Sequence, residues 1–548
     1  MPESFDVIVV GGGCNGTGIA RDCAMRGLRT LLVEKNDFGS GTTGASSGMI
    51  HGGPRYLLSE VETTKLSSRD AGYIRKIAPH LCFRIPFLYP VVKGNQPSWR
   101  RKIRLALVET FFQAYDRFSA LKGGKPHTCL TREETLSLEP SVSPDIVGSV
   151  TFDEWGINTE RLCLLNALAV KEAGGTALNH TEVKRILKEG NTVTGMIVRD
   201  TLTGEECEFR SRVLFNATGP WTPRLAAMAG VTVKLRPAKG IHLVLDRRIT
   251  NYAVVSQCID GREIFINPYG NQTLLGTTDD DFYGDPDEIP VTADEIEYLL
   301  QGMERTYPEI RKARVISTTR GIRPTLFGDK VLEDDLSRHH KIFDHEKEEG
   351  VAGFFSIAGG KLAAYRQMAE EATDLICQKL GNHDPCRTHL APLPGGESTP
   401  EPAELAERYQ LHPYAAERIV SRHGSLAEKV LQPTDELPSD KCAVCLCEPV
   451  LACEIRHAIG AESARTLADL RRRTGLGDGP CQGAQCLVPA TGLLDPADPI
   501  AELKRFLEES WRSRAPLFCA EGTRSEPLVA QEEMNQMIFQ CVLELGSQ

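Results

Sequence analysis

The sequence has no uninterrupted apolar run of about 18 residues, the length a membrane-spanning helix requires, so no such span is expected in its 548 residues. Its opening, "MPESFDVIVVGGG", is acidic and its apolar run is broken by glycine. It therefore lacks the basic n-region, apolar h-region and cleavage site of a secretory signal. Basic residues are outnumbered: the net charge of -11 argues against a nucleic-acid binder, whose usual footprint is a basic face. Internal repeats are absent. Cysteine, by contrast, is plentiful at 17. The count is odd, no signal precedes it, and many thiols are scattered, as at Cys82, Cys163 and Cys258. Buried thiols in a reducing cytosol are expected, not a disulfide framework. The length predicts two to four domains with at least one large core, so small size gives no reason for cross-links.

The first fifty residues read strand, glycine loop, helix, strand, in "DVIVV", "GGGCNG", "TGIARDCAMRG" and "RTLLVE". Gly11, Gly13 and Gly16 form G-x-G-x-x-G directly after the strand, Ala20 follows four residues on, and Glu34 ends the next strand. Glycines at this spacing allow a tight turn and a close approach of backbone N–H groups to a pyrophosphate at a helix N-terminus. The acidic residue accepts from a ribose hydroxyl. No second copy of the motif follows a strand, so one dinucleotide is expected. Two further strand ends favour FAD over NAD: Ala217-Thr218-Gly219 in "VLFNATGPW", and Gly359-Gly360 in "SIAGGK". The helix opened by the second would aim its positive end at the flavin and favour the anionic reduced ring.

From Trp99, "WRRKIRLALVETFFQAYDRF" has helical periodicity and a basic start. It reads as a surface helix of an inserted domain or as a membrane-surface contact. Strand-like runs resume at "IHLVLD", "REIFINPYG" and "TLLGTTDDD", and "APLPGGESTPEP", from Ala391 to Pro402, reads as a linker. Beyond it lie a helical segment, a cysteine-bearing segment and a helical tail.

The segments "DVIVVGGGCNGTGIARDCAMRG", "SSGMIHGGPRYL", "NATGPW", "RPAKGIHLVLD", "GTTDDDFYGDP", "GIRPT" and "AGGKLAAYR" together resemble the FAD-dependent glycerol-3-phosphate dehydrogenases, in family order from residue 6 to about 370. The resemblance implies an α/β fold: a Rossmann-like FAD domain of the glutathione-reductase/amino-acid-oxidase type with an inserted α+β sheet substrate domain. It also implies oxidation of sn-glycerol 3-phosphate to dihydroxyacetone phosphate. The expected division is a dehydrogenase over 1–390, with FAD parts at about 1–80, 155–235 and 340–385 and substrate parts at about 81–154 and 236–339. A linker and helical segment over 391–440, a cluster domain over 441–492 and a helical segment over 493–548 follow. The matching motifs add Lys35, Ser46, Ser47, Lys361 and Leu362 to the expected FAD contacts.

A phosphorylated polyol calls for fixed positive charge, and planar guanidinium groups suit phosphate. Within the matching motifs the candidates are Arg323 first, then Lys361, Arg55, Tyr56 and Arg366. Oxidising a secondary alcohol also needs an acceptor for the hydroxyl proton, and histidine suits the task. His51 and His242 are the candidates, with Arg323 and Lys361 as charge-stabilising groups; an Arg-stabilised alkoxide would make a dedicated base unnecessary. Gly48 departs from the respiratory, single-subunit branch, which tends to have lysine there, and moves the resemblance toward the anaerobic, multi-subunit type.

Cys445-x-Cys447 is followed, after a long gap, by Cys481-x4-Cys486. Neither a plant-type ferredoxin run nor a pair of zinc knuckles is present. The pattern resembles the small [2Fe-2S] domain of the bacterioferritin-associated ferredoxins, with Gly479 and Gly483 bringing N–H donors near sulfur and Arg471, Arg472 and Arg473 offsetting cluster charge. Zinc on Cys442 and Cys445 is the alternative, but zinc has no redox chemistry, whereas a flavin that collects two electrons needs an outlet. Domain order implies two partners: a second flavoprotein, and an iron–sulfur protein that anchors the complex to the cytoplasmic face of the cell membrane and passes electrons to quinone. Two rival readings stay open: an FAD enzyme for another small hydroxy acid, polyol phosphate or amine, and a flavin electron-transfer protein without its own substrate.

Overall fold

A computed structural model describes residues 3–58, 60–94, 97–328, 339–520 and 523. The strand Glu3–Val10 lies inside a sheet, parallel to Thr30–Val33 on one side and Glu206–Asn216 on the other. Because both faces of these strands are covered, they read as continuous apolar runs and not as alternating ones. The order across this sheet is 340–344, 354–359, 206–216, 3–10, 30–33, 176–178, and the antiparallel hairpin Thr181–Glu189 with Thr192–Asp200 extends from Glu206–Asn216. The helix Cys14–Met25 packs between helices Thr159–Glu172 and Tyr365–Leu380. Ile19, Ala20, Cys163, Ala167, Ala369 and Ala372 fill that junction. The arrangement is the doubly wound layer expected from the glycine motif, and ligands bind such sheets at the carboxyl ends of their strands.

A second, nine-stranded sheet draws its strands from 82–157 and 235–326. At one end of this sheet Leu235–Leu245 runs antiparallel to Val315–Leu326, a register that sets His242 opposite Thr319 and Ala238 opposite Arg323. Helix Ala293–Glu304, started by a Thr292/Glu295 capping box, covers its outer face through Ile296, Leu299 and Leu300. The helix anticipated from Trp99 spans Ser98–Ser119 and buries only Phe112, Tyr115 and Ser119.

The stretch from Ala391 to Pro402 is not a free linker. Leu393 is fully buried among Ile74, Ile77 and Tyr365, and its N–H donates to the Ile77 carbonyl. Gly396 packs so closely that a Cβ would lie 2.2 Å from the same carbonyl oxygen, which explains a Pro/Gly-rich composition in an ordered segment. Beyond it, helices Pro402–Tyr409 and Pro413–His423 share one apolar cluster, whereas Ala452–Gly460, Leu467–Thr474, Leu487–Leu494 and Pro499–Arg514 share another. The last of these helices enters the core of the cysteine-bearing segment through Leu503 and Phe506, so a boundary at 492 cuts through packed structure.

Candidate active site

A cavity of about 1210 Å³ lies between the two sheets. One end is built by the glycine motif. Gly11 has φ 115°, and a Cβ there would meet the Ala217 carbonyl oxygen at 2.5 Å; a Cβ on Gly16 would meet the Gly11 oxygen at 1.9 Å. These contacts leave backbone, not side chains, around the N-terminus of helix Cys14–Met25, where an anionic pyrophosphate is favoured. Glu34 accepts from Gly12 N–H at 2.6 Å and Asn36 N–H at 2.9 Å, and burial pushes its carboxyl up despite those bonds. Lys35 sits over the Trp221 ring and pairs with Asp287 at 2.5 Å. Ser46, Ser47, Thr218, Gly219, Gly359, Gly360 and Leu362 also line the cavity. This glycine-lined cradle with a carboxylate at the ribose position fits FAD.

The other end carries the polar groups of a substrate site. Arg323 donates to the Asp279 carboxylate at 2.7 Å and to the Thr278 carbonyl at 3.2 Å, and Arg262 donates to the second Asp279 oxygen at 3.2 Å. One buried carboxylate thus holds two guanidinium groups at the cavity wall. Arg262 and Asp279 were not singled out in the sequence. Local spacing gives no signal for them, because they meet only across neighbouring strands. Lys361 lies 3.5 Å from the Tyr56 ring centroid, on the cavity wall. Arg55 falls on the short turn Pro54–Tyr56, and its side chain lies outside the described residues.

Arg366 does not belong to the site. It points away from the cavity, donates to Asp70 at 2.6 Å and Glu370 at 2.8 Å, and is almost fully buried. The helix that starts at Tyr365 turns it toward helix Val61–Ile77, so its motif membership reflects packing and not substrate contact.

The two histidines are unlike. His242 has Nε2 2.8 Å from the Ser47 hydroxyl and Nδ1 3.2 Å from that of Thr319. Burial, with Arg323 nearby, pushes its pKa down to about 3, so it is neutral at ordinary pH with both nitrogens engaged. His51 lines the cavity on a loop whose floor is polar: Gly52 N–H donates to Glu154, and Glu154 receives Lys122 at 2.6 Å and the Tyr115 hydroxyl at 2.5 Å. A Cβ at Gly52 would fall 2.3 Å from the Tyr115 hydroxyl, which accounts for glycine beside the histidine.

The cysteine segment forms a separate centre. The thiols of Cys445 and Cys486 act on one another electrostatically, as do those of Cys447 and Cys481. Cys486 holds Cys445 down at about 6 and is itself pushed up by Cys445; burial pushes Cys447 up to about 11. A Cβ at Gly479 would lie 2.2 Å from that of Cys447, so the loop folds tightly over the sulfurs. Two pairs of thiols beside one apolar cluster suit the two irons of a [2Fe-2S] cluster. Cys442 is exposed, and Cys453 is buried in the neighbouring apolar cluster. The arginines do not serve the sulfurs: Arg472 and Arg473 bind Asp37, and Arg471 binds Asp478 at 2.5 Å. Glu160, pushed up to about 7 by burial, lies 3.2 Å from where a Cβ on Gly44 would stand, beside the cavity-lining loop, and feels Asp478 and Arg471 from the cysteine segment. It joins the two centres.

Residues 6–366 match the FAD dependent oxidoreductase family, and residues 386–491 match the C-terminal domain of alpha-glycerophosphate oxidase. One subunit of the anaerobic glycerol-3-phosphate dehydrogenase of Escherichia coli is 35% identical over 99% of this chain and 98% of its own. The like-named subunit of the anaerobic enzyme of Haloferax volcanii is 32% identical over 94% of this chain and 86% of its own. Among solved structures, the glycerol-3-phosphate dehydrogenase of Bacillus halodurans complexed with FAD superposes with a TM-score of 0.72 at 24% identity, over 94% of this chain and 96% of that one. The chain therefore belongs to the FAD-dependent oxidoreductases and, within them, to the glycerol-3-phosphate dehydrogenases.

Proposed function

We propose that the protein oxidises sn-glycerol 3-phosphate to dihydroxyacetone phosphate. The observation that carries this reading is the pair of guanidinium groups, Arg323 and Arg262, fixed on Asp279 in the wall of the cavity that the glycine cradle opens. Planar, oriented guanidinium donors match the oxygens of a phosphate dianion and offer little to an uncharged polyol. Lys361 and Tyr56 supply a second cation and a hydroxyl at the same wall. The secondary alcohol loses a hydride from carbon and a proton from its hydroxyl; FAD bound in the cradle supplies the acceptor for that hydride. His51 takes the hydroxyl proton. His242 is held neutral by burial and is committed to Ser47 and Thr319, so it orients the loop at Ser47 and leaves the base role to His51.

A [2Fe-2S] cluster on Cys445, Cys447, Cys481 and Cys486 would supply a one-electron exit. The route then leads through a partner flavoprotein and an iron–sulfur anchor protein to membrane quinone, which places the protein peripherally on the cytoplasmic face of the membrane. Paired thiols and the closeness of Glu160 to both centres support that half of the reading. Among the described residues no helix is long and apolar enough to cross a membrane.

The test is an anaerobic visible and EPR titration of the purified protein with sn-glycerol 3-phosphate, glycerol and 2-hydroxy acids. Flavin bleaching by the phosphate ester alone, followed by a reduced [2Fe-2S] signal, is the expected result. Bleaching by a hydroxy acid and not by the ester would overturn the substrate. A colourless cysteine segment holding zinc would overturn the exit.

A further inference from the structure

Helix Ser98–Ser119 buries side chains fully only in its second half, with Leu105 and Val108 packed in part against the core. Its first turns stand clear of the core and carry an apolar stripe at helical spacing: Trp99 is 57% exposed, Ile103 50% and Leu107 65%. Leu58, 84% exposed, and Leu107 both border the mouth of the active-site cavity, so the stripe runs from the projecting helix end to that opening. Side chains that apolar do not stand in water on three successive turns without a partner surface as a rule.

The charge around the stripe says what the partner is. Arg100, Lys102 and Arg104 flank it as exposed cations, Arg101 being turned back to the Gly94 carbonyl, and the nearest acidic residue on the helix is Glu109, a turn beyond. This cationic block sits on a chain of net charge -11, so it is a local feature set against the overall field. An acidic protein would be met by the basic groups, but it offers nothing for a tryptophan and two aliphatic side chains to enter. A bilayer surface offers both. Tryptophan settles at the headgroup level, Ile and Leu enter the acyl boundary, and long Arg and Lys side chains lie along the apolar surface with their charges at anionic headgroups.

We propose that residues 98–107 form an interfacial anchor by which this chain itself lies on an anionic lipid surface, with the cavity mouth held beside the bilayer. The anchor is independent of any iron–sulfur partner, and it does not rest on the identity of the substrate. Membrane contact then has two layers: a weak, direct one on this helix and a stronger one through assembly. One short interfacial stripe plus a basic block gives reversible binding, sensitive to salt and to lipid charge.

The experiment uses the purified full chain in flotation with phosphatidylcholine vesicles and with phosphatidylcholine–phosphatidylglycerol vesicles, alongside flavin reduction by glycerol 3-phosphate. The expected result is binding to the anionic vesicles alone, weakened by salt. Each surface Lys or Arg contributes about 1 kcal/mol, or roughly fivefold in affinity. Arg100→Ala with Lys102→Ala is therefore expected to weaken binding by roughly 25-fold. Trp99→Ser with Ile103→Ser is expected to abolish it. All four side chains are solvent-facing, so both variants are expected to keep their flavin and its reduction. No binding of the parent chain to anionic vesicles, or binding that both double variants retain, would overturn the anchor. Loss of flavin reduction with vesicle binding intact would fall on the catalytic reading instead.

Discussion

Arg473 closes on Asp37 with one nitrogen at 2.5 Å and another at 2.9 Å from the two carboxylate oxygens, and both side chains are fully buried. Asp37 stands three residues beyond Glu34, in the loop that follows the ribose-facing strand, whereas Arg473 stands on the helix that leads into the second pair of thiols. Arg472 and the Asn179 amide complete the shell at 2.8 and 3.0 Å. The flavin loop and the cysteine segment are thus one electrostatic unit. Together the arginines hold the Asp37 carboxyl well below the usual carboxylate range.

Removing one partner of a buried pair costs about 3–5 kcal/mol, because the other charge is left without compensation. Arg473→Met is expected to lower the thermal midpoint and to release FAD faster than the parent does, as read by the rise of free-flavin fluorescence. Asp37→Asn with Arg473→Met, which removes both charges, is expected to recover much of the stability without restoring flavin retention. Equal recovery of both would mean that the pair holds the fold and not the loop.

At the substrate end, Arg323→Lys replaces a fork with a point charge and forfeits the bond to Asp279 or to phosphate. The expected effect is a rise in KM for glycerol 3-phosphate by about ten- to a hundredfold, roughly 1.4–2.7 kcal/mol, with flavin content unchanged. Asp279→Asn is expected to act in the same direction, because two guanidinium groups then face each other without the carboxylate that aims them. A steady-state comparison with unchanged flavin absorbance checks both.

The nucleotide half of the site was legible because its signal is local: Gly11, Gly13, Gly16 and Glu34 lie in one βαβ unit and act there. Arg323 was legible through its motif. Arg262 and Asp279 were not, since the shared carboxylate exists only once the strands 263–269, 272–276, 235–245 and 315–326 are brought side by side. Arg366 shows the converse. It shares a motif with Lys361, but five residues of turn and helix rotate it into a buried contact with Asp70. The linker at Ala391 misled for a similar reason: glycine and proline mark close packing there as readily as they mark mobility, and only the contacts of Leu393 and Gly396 distinguish the two.

Two buried histidines and one half-buried one set an acid limit on stability. Loss of hydration on burial, reinforced by neighbouring positive groups such as Arg161 and Arg323, pushes His80 and His242 down to about 3 and His457 to about 4. An unfolded chain protonates histidine near pH 6.5, while the folded chain resists, so stability is fully present above about 6.5 and falls as pH drops toward those folded values. Between pH 7.5 and 5.5 each histidine costs about 1.4 kcal/mol. The urea midpoint is expected to fall over that interval, and His80→Asn, which has no charge to gain, is expected to lessen the fall. A midpoint unchanged between the two pH values would contradict the desolvation of all three.

The proposed [2Fe-2S] assignment separates ligands from bystanders by position. Cys442 is exposed at the end of a short turn, whereas Cys445 lies 1% exposed against Cys486. Cys442→Ser is therefore expected to keep the iron and acid-labile sulfide content and the visible spectrum, and Cys445→Ser to lose them. Zinc on Cys442 and Cys445 would make both variants lose metal together and would leave no sulfide in the parent. Because Arg473 ties the same loop to Asp37, loss of the cluster in Cys445→Ser is also expected to speed flavin release, as mutual stabilisation of two sites through one element must act in both directions. Flavin release that is identical in Cys445→Ser and in the parent would show that the cysteine loop and the Asp37 loop, though joined through the Arg473 helix, respond separately.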